Sequence, residues 1–143
     1  MRALMDVNIL IALLDGSHIH HRLVTDWLAR NLSKGWASCP VTENGCIRIL
    51  YQPSYPNSVP AAQVAGRLTE ATQHSSHVFW PDSVSLLHPG RLNWDQVLSA
   101  RHVTDAYLLA LAVENGGRFV TLDRGVPLGA VAGALSKHLV VLS

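Results

Sequence analysis

Residues 104–125 read TDAYLLALAVENGGRFVTLDRG. The first twelve, Thr104–Asn115, are rich in Ala and Leu and hold no proline, which predicts a helix. Gly116-Gly117 is a helix stop, because glycine adopts the left-handed backbone that closes a last turn. Residues 118–122 (RFVTL) then read as a strand, and Asp123 follows it directly. A helix that runs through a glycine stop into a strand ending on an acid is one repeat unit of a parallel α/β sheet.

The same alternation extends outward. Residues 2–5 (RALM) read as a short buried strand, with Asp6 at the turn into an apolar helix over 8–14. Ile19, Leu23, Trp27, Leu28 and Leu32 recur at helical spacing within 18–32. Residues 36–39 (WASC) form a second strand that Pro40 ends, followed by a helix over 41–51. PSYPNSVP (53–60) is a loop, and Pro60 suits the first turn of a helix reaching 73. Residues 77–80 read as a third strand, 93–100 as a short helix, and LVVL (139–142) as a fifth strand. Together these predict an α/β fold, three-layer α/β/α, with a mostly parallel five-stranded sheet.

Composition sets the outer bounds. With 143 residues, 48% hydrophobic and 15% charged, the chain reads as one domain over 1–143 and excludes disorder or a coiled coil. The net charge of +1 argues against a globally basic nucleic-acid binder, though not against a local basic patch. Cys39 and Cys46 offer no CxxC pair and no disulfide framework, which suits a reducing cytoplasm. The apolar N-terminal stretch is interrupted by Asp6 and Asn8 and is far short of the ~20 residues of a membrane span. No P-loop, GxSxG, HExxH or GxGxxG pattern is present.

The ten acidic residues are few enough for their positions to be informative. Asp6 follows the first strand, Glu43 opens the helix after the second, Asp105 opens the helix before the fourth, and Asp123 follows the fourth. Ligands of open parallel sheets bind outside the carboxyl ends of the strands. Each residue also has a plain structural reading: Asp6 as a helix cap, Glu43 and Asp105 as partners of helix dipoles, Asp123 as a turn residue. Taken as a set, four converging carboxylates with Arg124 as the only adjacent cation would repel one another. A bound divalent metal removes that conflict, and Mg²⁺ takes oxygen ligands and keeps several waters.

In these motifs the sequence resembles the PIN-domain ribonucleases, and among them the VapC toxins of bacterial toxin–antitoxin pairs. The carriers are Asp6-Val7-Asn8, Pro40-Val41-Thr42-Glu43, Thr104-Asp105 and Thr121-Leu122-Asp123-Arg124-Gly125. Leu10-Ile11-Ala12, His20-His21, Gly45, Arg48 and Phe79-Trp80-Pro81-Asp82 agree around them, so the resemblance spans nearly the whole chain. It departs at Leu122 and Val126, where many relatives carry aromatic residues. The resemblance implies Asp6 and Asp105 as main metal ligands, and Glu43 and Asp123 as completing the acidic site. It makes Asn8, Thr104 and Thr121 hydrogen-bonding residues that orient the carboxylates, with a helix cap as the other reading of Thr104. It implies Mg²⁺ or Mn²⁺, an RNA substrate, a cognate VapB-like antitoxin seated between helices 18–32 and 41–51, and a homodimer. An RNA-processing nuclease without an antitoxin, and a non-catalytic scaffold, are the alternatives.

Arg48, Arg101 and Arg124 lie near the acidic motifs and are candidates for RNA phosphates or for plain ion pairs. His18, His20 and His21 lack partners at zinc spacing and read as a solvated face. Trp27, Trp36 and Trp80 read as core, while Trp94 is open to either role.

Overall fold

A computed structural model describes residues 1–143. Five strands, β1 (Ala3–Met5), β2 (Trp36–Ser38), β3 (His77–Phe79), β4 (Arg118–Thr121) and β5 (Leu139–Val141), form one sheet in the order β3-β2-β1-β4-β5. Every pairing is parallel, so the expected mostly parallel sheet is wholly so. The helices are α1 (Val7–Leu14), α2 (His21–Asn31), α3 (Pro40–Tyr51), α4 (Ala61–Thr72) and α5 (His102–Glu114). The expected helix over 93–100 is a single 3₁₀ turn at Trp94–Gln96. Asn93 caps that turn, and the following residues Leu98 and Ala100 lie exposed with no neighbouring face to bury a longer helix.

Strand alternation divides the core. Ala3, Met5, Trp36 and Val120 point into a cluster completed by residues of α1, α2, α3 and α4. Leu4, Ala37 and Phe119 point the other way, against Ala106, Leu108, Leu109 and Ala112 of α5. Helix α5 is apolar almost all round because it is covered almost all round. Trp27, Trp36 and Trp80 are buried, and Trp94 is 50% exposed. Both thiols are free and buried, and burial pushes the Cys46 thiol up to about 12. No helix is long and apolar enough to cross a membrane.

The glycine stop works as a two-bond closure. The Gly117 amide donates to the Ala112 carbonyl at 2.8 Å and the Gly116 amide to Val113 at 3.1 Å, with Gly116 at φ 67°. Gly117 also lies where a Cβ would stand 2.6 Å from the Arg2 carbonyl oxygen and 2.6 Å from the Trp80 ring. Backbone cannot yield as a side-chain tip does. Gly117→Ala should therefore cost about 1–3 kcal/mol, a fall of several degrees in a thermal melt. An unchanged melting temperature would show that Gly117 does not approach Arg2 and Trp80 this closely.

Candidate active site

The strand order reverses at β1. The chain moves outward from β1 to β2 and β3 on one side, then returns to lay β4 and β5 on the other. At such a switch point, the connections leave neighbouring strand ends in opposite directions and open a crevice. Asp6 follows β1 and Asp123 closely follows β4, and these two strands are direct neighbours in register Met5↔Val120. The Asp6 amide donates to the Val120 carbonyl at 2.9 Å, which fixes the start of the crevice.

Thr121 is the hub of this edge. Its hydroxyl, fully buried, donates to Asp6 Oδ2 at 2.6 Å and accepts from the Asp123 amide at 3.0 Å and Asn8 Nδ2 at 3.2 Å. Asn8 Oδ1 in turn accepts from the Leu122 amide at 3.2 Å, tying α1 to the loop after β4. Asp6 Oδ1 accepts from the Val7 amide at 2.7 Å at the start of α1, so this carboxylate caps a helix and belongs to the acidic cluster at once. Asp123 Oδ1 accepts from the Gly125 amide at 2.7 Å, which curls the loop and fixes that carboxylate.

Asp105 enters from the opposite side of the sheet, on the first turn of α5, and is 8% exposed. Burial, then the charges of Asp6 and Asp123 and a hydrogen bond with Asp123, push its pKa up to about 7. Arg101 opposes that shift. Burial likewise raises Asp6, against the hydrogen bonds from Thr121 and Val7, with Asp123 adding to the rise. Three aspartates from three separate segments thus share one corner, with Asp6 and Asp105 buried and Asp123 half-buried.

Glu43 has a hydrogen-bond partner of its own. Its carboxylate accepts from Ser38 Oγ at 2.6 Å, and Ser38 Oγ lies 2.8 Å from His77 Nε2, whose ring packs on Trp36. Of the four expected carboxylates, Asp6, Asp105 and Asp123 act on one another, and Glu43 is held by Ser38 at the end of β2. Ser38 ends β2 just ahead of α3, so its hydroxyl meets the first turn of that helix. No three acidic, His or Cys side chains are disposed to close on a metal ion as they stand.

Thr104 departs from both of its expected roles. Helix α5 begins at His102, so Thr104 is its third residue rather than its cap. It is exposed, and no hydrogen bond joins its hydroxyl to the carboxylates. Of the three arginines, Arg101 acts on Asp105, so Arg124 is not the only cation near the cluster. Arg124 is exposed in the turn after Asp123, and Arg48 is exposed on α3. Sequence reasoning missed Ser38, whose hydroxyl donates to Glu43, and His77, which bonds Ser38. It also missed His102, whose ring nitrogens are buried without partners and whose Nε2 lies 3.0 Å from where a Gly125 Cβ would stand. Single Ser and His residues carry no spacing pattern, so no signal was available for these.

No protein-family model matches the sequence. The chain is 45% identical over 142 residues to Ribonuclease VapC44 of Mycobacterium tuberculosis, covering 99% of this chain and 100% of that one. The chain belongs to the VapC ribonuclease family. Ribonuclease VapC39 of the same organism is 42% identical over 135 residues, 93% of this chain and 96% of the other. In fold, this VapC chain is similar to PAE2754 from Pyrobaculum aerophilum, with TM-score 0.59 and 20% identity over 99% of this chain and 84% of that one. It is also similar to M. tuberculosis VapC20, described as a Sarcin-Ricin loop cleaving toxin, with TM-score 0.53 and 10% identity over 81% and 85% of the two chains. The α/β architecture with its five-stranded parallel sheet is the PIN-like fold.

Proposed function

We propose that this VapC ribonuclease works as one domain on RNA phosphodiesters in the cytoplasm, as the toxin of a VapB-type pair and as a homodimer. The observation that supports the site is the trio Asp6, Asp105 and Asp123 at the switch point of the sheet. Its donors are all oxygen, and the two ion pairs of the chain, Arg22–Asp26 and Arg91–Glu114, are elsewhere. Carboxylates that raise one another's pKa fit a divalent cation better than they fit water. Asp6 and Asp105 are the residues that would hold Mg²⁺ or Mn²⁺, with Asp123 and Glu43 directly or through water. When bound, such an ion supplies charge against the phosphate and acidity to an attacking water.

The chain's own residues do the rest. The Thr121 hydroxyl fixes which Asp6 oxygen faces inward, and Asn8 fixes the loop that carries Asp123. Ser38 holds Glu43 at the rim, where a carboxylate can accept a proton from water. Arg101 and Arg124 offer exposed positive charge to the flanking phosphates. An antitoxin helix would lie between α2 and α3, each of which packs against α1.

RNA incubated with the purified chain should be cut in Mg²⁺ or Mn²⁺ and left intact in EDTA. Co-expression of the protein encoded beside it should relieve growth arrest. Arrest that persists beside a well-expressed neighbour would remove the antitoxin pairing and leave the nuclease.

A further inference from the structure

Glu43 is tied to the edge strand of the sheet by a chain of hydrogen bonds. Ser38 Oγ lies 2.6 Å from Glu43 Oε2 and 2.8 Å from His77 Nε2. Ser38 is fully buried, so solvent does not compete for its hydroxyl. The arrangement follows from the sheet. Trp36 and Ser38 alternate onto one face of β2, and His77 of β3 is the registered neighbour of Trp36. The His77 ring packs on the Trp36 ring with centroids 4.4 Å apart. Trp36 Nε1 in turn donates to the hydroxyl of Ser76 at 3.1 Å, one residue before His77. The imidazole is thereby held with Nε2 at the Ser38 hydroxyl.

The count of hydrogens fixes the direction of the chain. A serine hydroxyl has a single hydrogen to give, and an ionised carboxylate only accepts. With hydrogen on His77 Nε2, the ring donates to Ser38 Oγ and Ser38 donates to Glu43 Oε2, so each contact holds a hydrogen. With Nε2 bare, the Ser38 hydrogen has two acceptors, and one of the two short contacts sets lone pair against lone pair. The charge of Glu43 and the Thr72 carbonyl favour hydrogen on the ring, while burial and Arg2 oppose a full positive charge there.

We propose that His77 is a positioning residue of the ribonuclease, whose Nε2–H occupies the Ser38 oxygen and directs the Ser38 hydroxyl onto Glu43. Oε2 of Glu43 is then fixed, and Oε1 is left to water or an ion. This role rests on the ribonuclease reading above, in which Glu43 completes the acidic site. His77 touches none of the reacting groups and acts only through Ser38.

The test joins a spectrum to a set of variants. Imidazole ¹⁵N spectra of the full chain in EDTA at neutral pH should show hydrogen on His77 Nε2. His77→Leu keeps an apolar side chain against Trp36 and removes the donor, and His77→Gln sets an amide N–H near the place of Nε2. On an RNA that the parent cuts, His77→Leu should lower kcat roughly tenfold or more with KM within about twofold, the loss expected when a residue that orients a metal-site carboxylate is removed. His77→Gln should recover most of that loss. Ser38→Ala should be about as slow as His77→Leu, and the double variant no slower than Ser38→Ala, because His77 has nothing to act on once the hydroxyl is gone. A purely structural role on Trp36 would instead add to the effect of Ser38→Ala. Parental kcat in His77→Leu, equal losses in His77→Leu and His77→Gln, or further slowing of Ser38→Ala by His77→Leu would overturn the role. If His77→Leu does not fold, His77→Gln decides: near-parental kcat with Nε2–H in the parent supports the role, and a tenfold loss overturns it. An active parent with a bare Nε2 would overturn the His77 role alone. A parent with hydrogen on Nε2 that cleaves no RNA would overturn the ribonuclease reading, and the His77 role with it.

Discussion

Asp105→Asn should cleave RNA at least roughly 100-fold more slowly than the parent chain in Mg²⁺ or Mn²⁺, with the fold intact. Loss of a residue that merely orients a metal ligand costs about 10–100-fold, and a ligand itself should cost no less than the upper end. The substitution keeps volume and shape and removes charge, so packing around Ala106, Leu108 and Leu109 is preserved. The measurement is a cleavage time course on a substrate that the parent cuts, beside a thermal melt. The control is Arg48→Ala, at an exposed position on α3, which should change cleavage by severalfold at most. Comparable turnover by the Asp105→Asn and parent chains would remove Asp105 from the chemistry.

The second large effect is on stability. Asp105 is raised to about 7 in the folded chain from an ordinary value of 3.8. A raised carboxylate pKa means that the folded chain holds a proton that the unfolded chain has released. The stabilisation is complete below pH ~4 and is lost as pH climbs toward about 7. Solvent at the open side of the cluster tempers this. A decline of about 2 kcal/mol between those limits is expected in EDTA, a drop of several degrees in melting temperature. Asp105→Asn should flatten the decline and raise metal-free stability near pH 7. A divalent ion at ten times its dissociation constant should return about 1.4 kcal/mol to the parent and less to the variant. Asp6 behaves differently under truncation, since Asp6→Ala also removes a cap from α1 and should cost roughly 1 kcal/mol with or without metal. Equal metal-induced shifts in parent and Asp105→Asn chains would make these carboxylates structural.

The sequence by itself determined the order and kind of nearly every element, and with them the carboxyl-end positions of Asp6, Glu43 and Asp123. Those readings rest on local physics: helix formers ahead of Gly116-Gly117, the strand RFVTL, and prolines that end or open elements. They also rest on connectivity, because a parallel sheet forces every strand to end on the same side. The short-range signal failed where it was thin. Residues 93–100 carry apolar side chains at helical spacing but meet no surface to bury them, and local propensity alone does not sustain so short a helix.

Only the tertiary structure decided how the acidic residues are divided. The strand order β3-β2-β1-β4-β5 sets β1 against β4, so Asp6, Thr121 and Asp123 meet through contacts between residues more than a hundred positions apart. Glu43 lies at the same sheet edge, where its carboxylate accepts from Ser38, which in turn bonds His77. Arg101, the residue just before α5, acts on Asp105, and α5 starts two residues earlier than its sequence suggests. Spacing along the chain fixes which residues reach a strand end. Which of them share a charge, a hydrogen bond or a cavity is fixed by side-chain partners brought together from distant segments, and no local pattern records those.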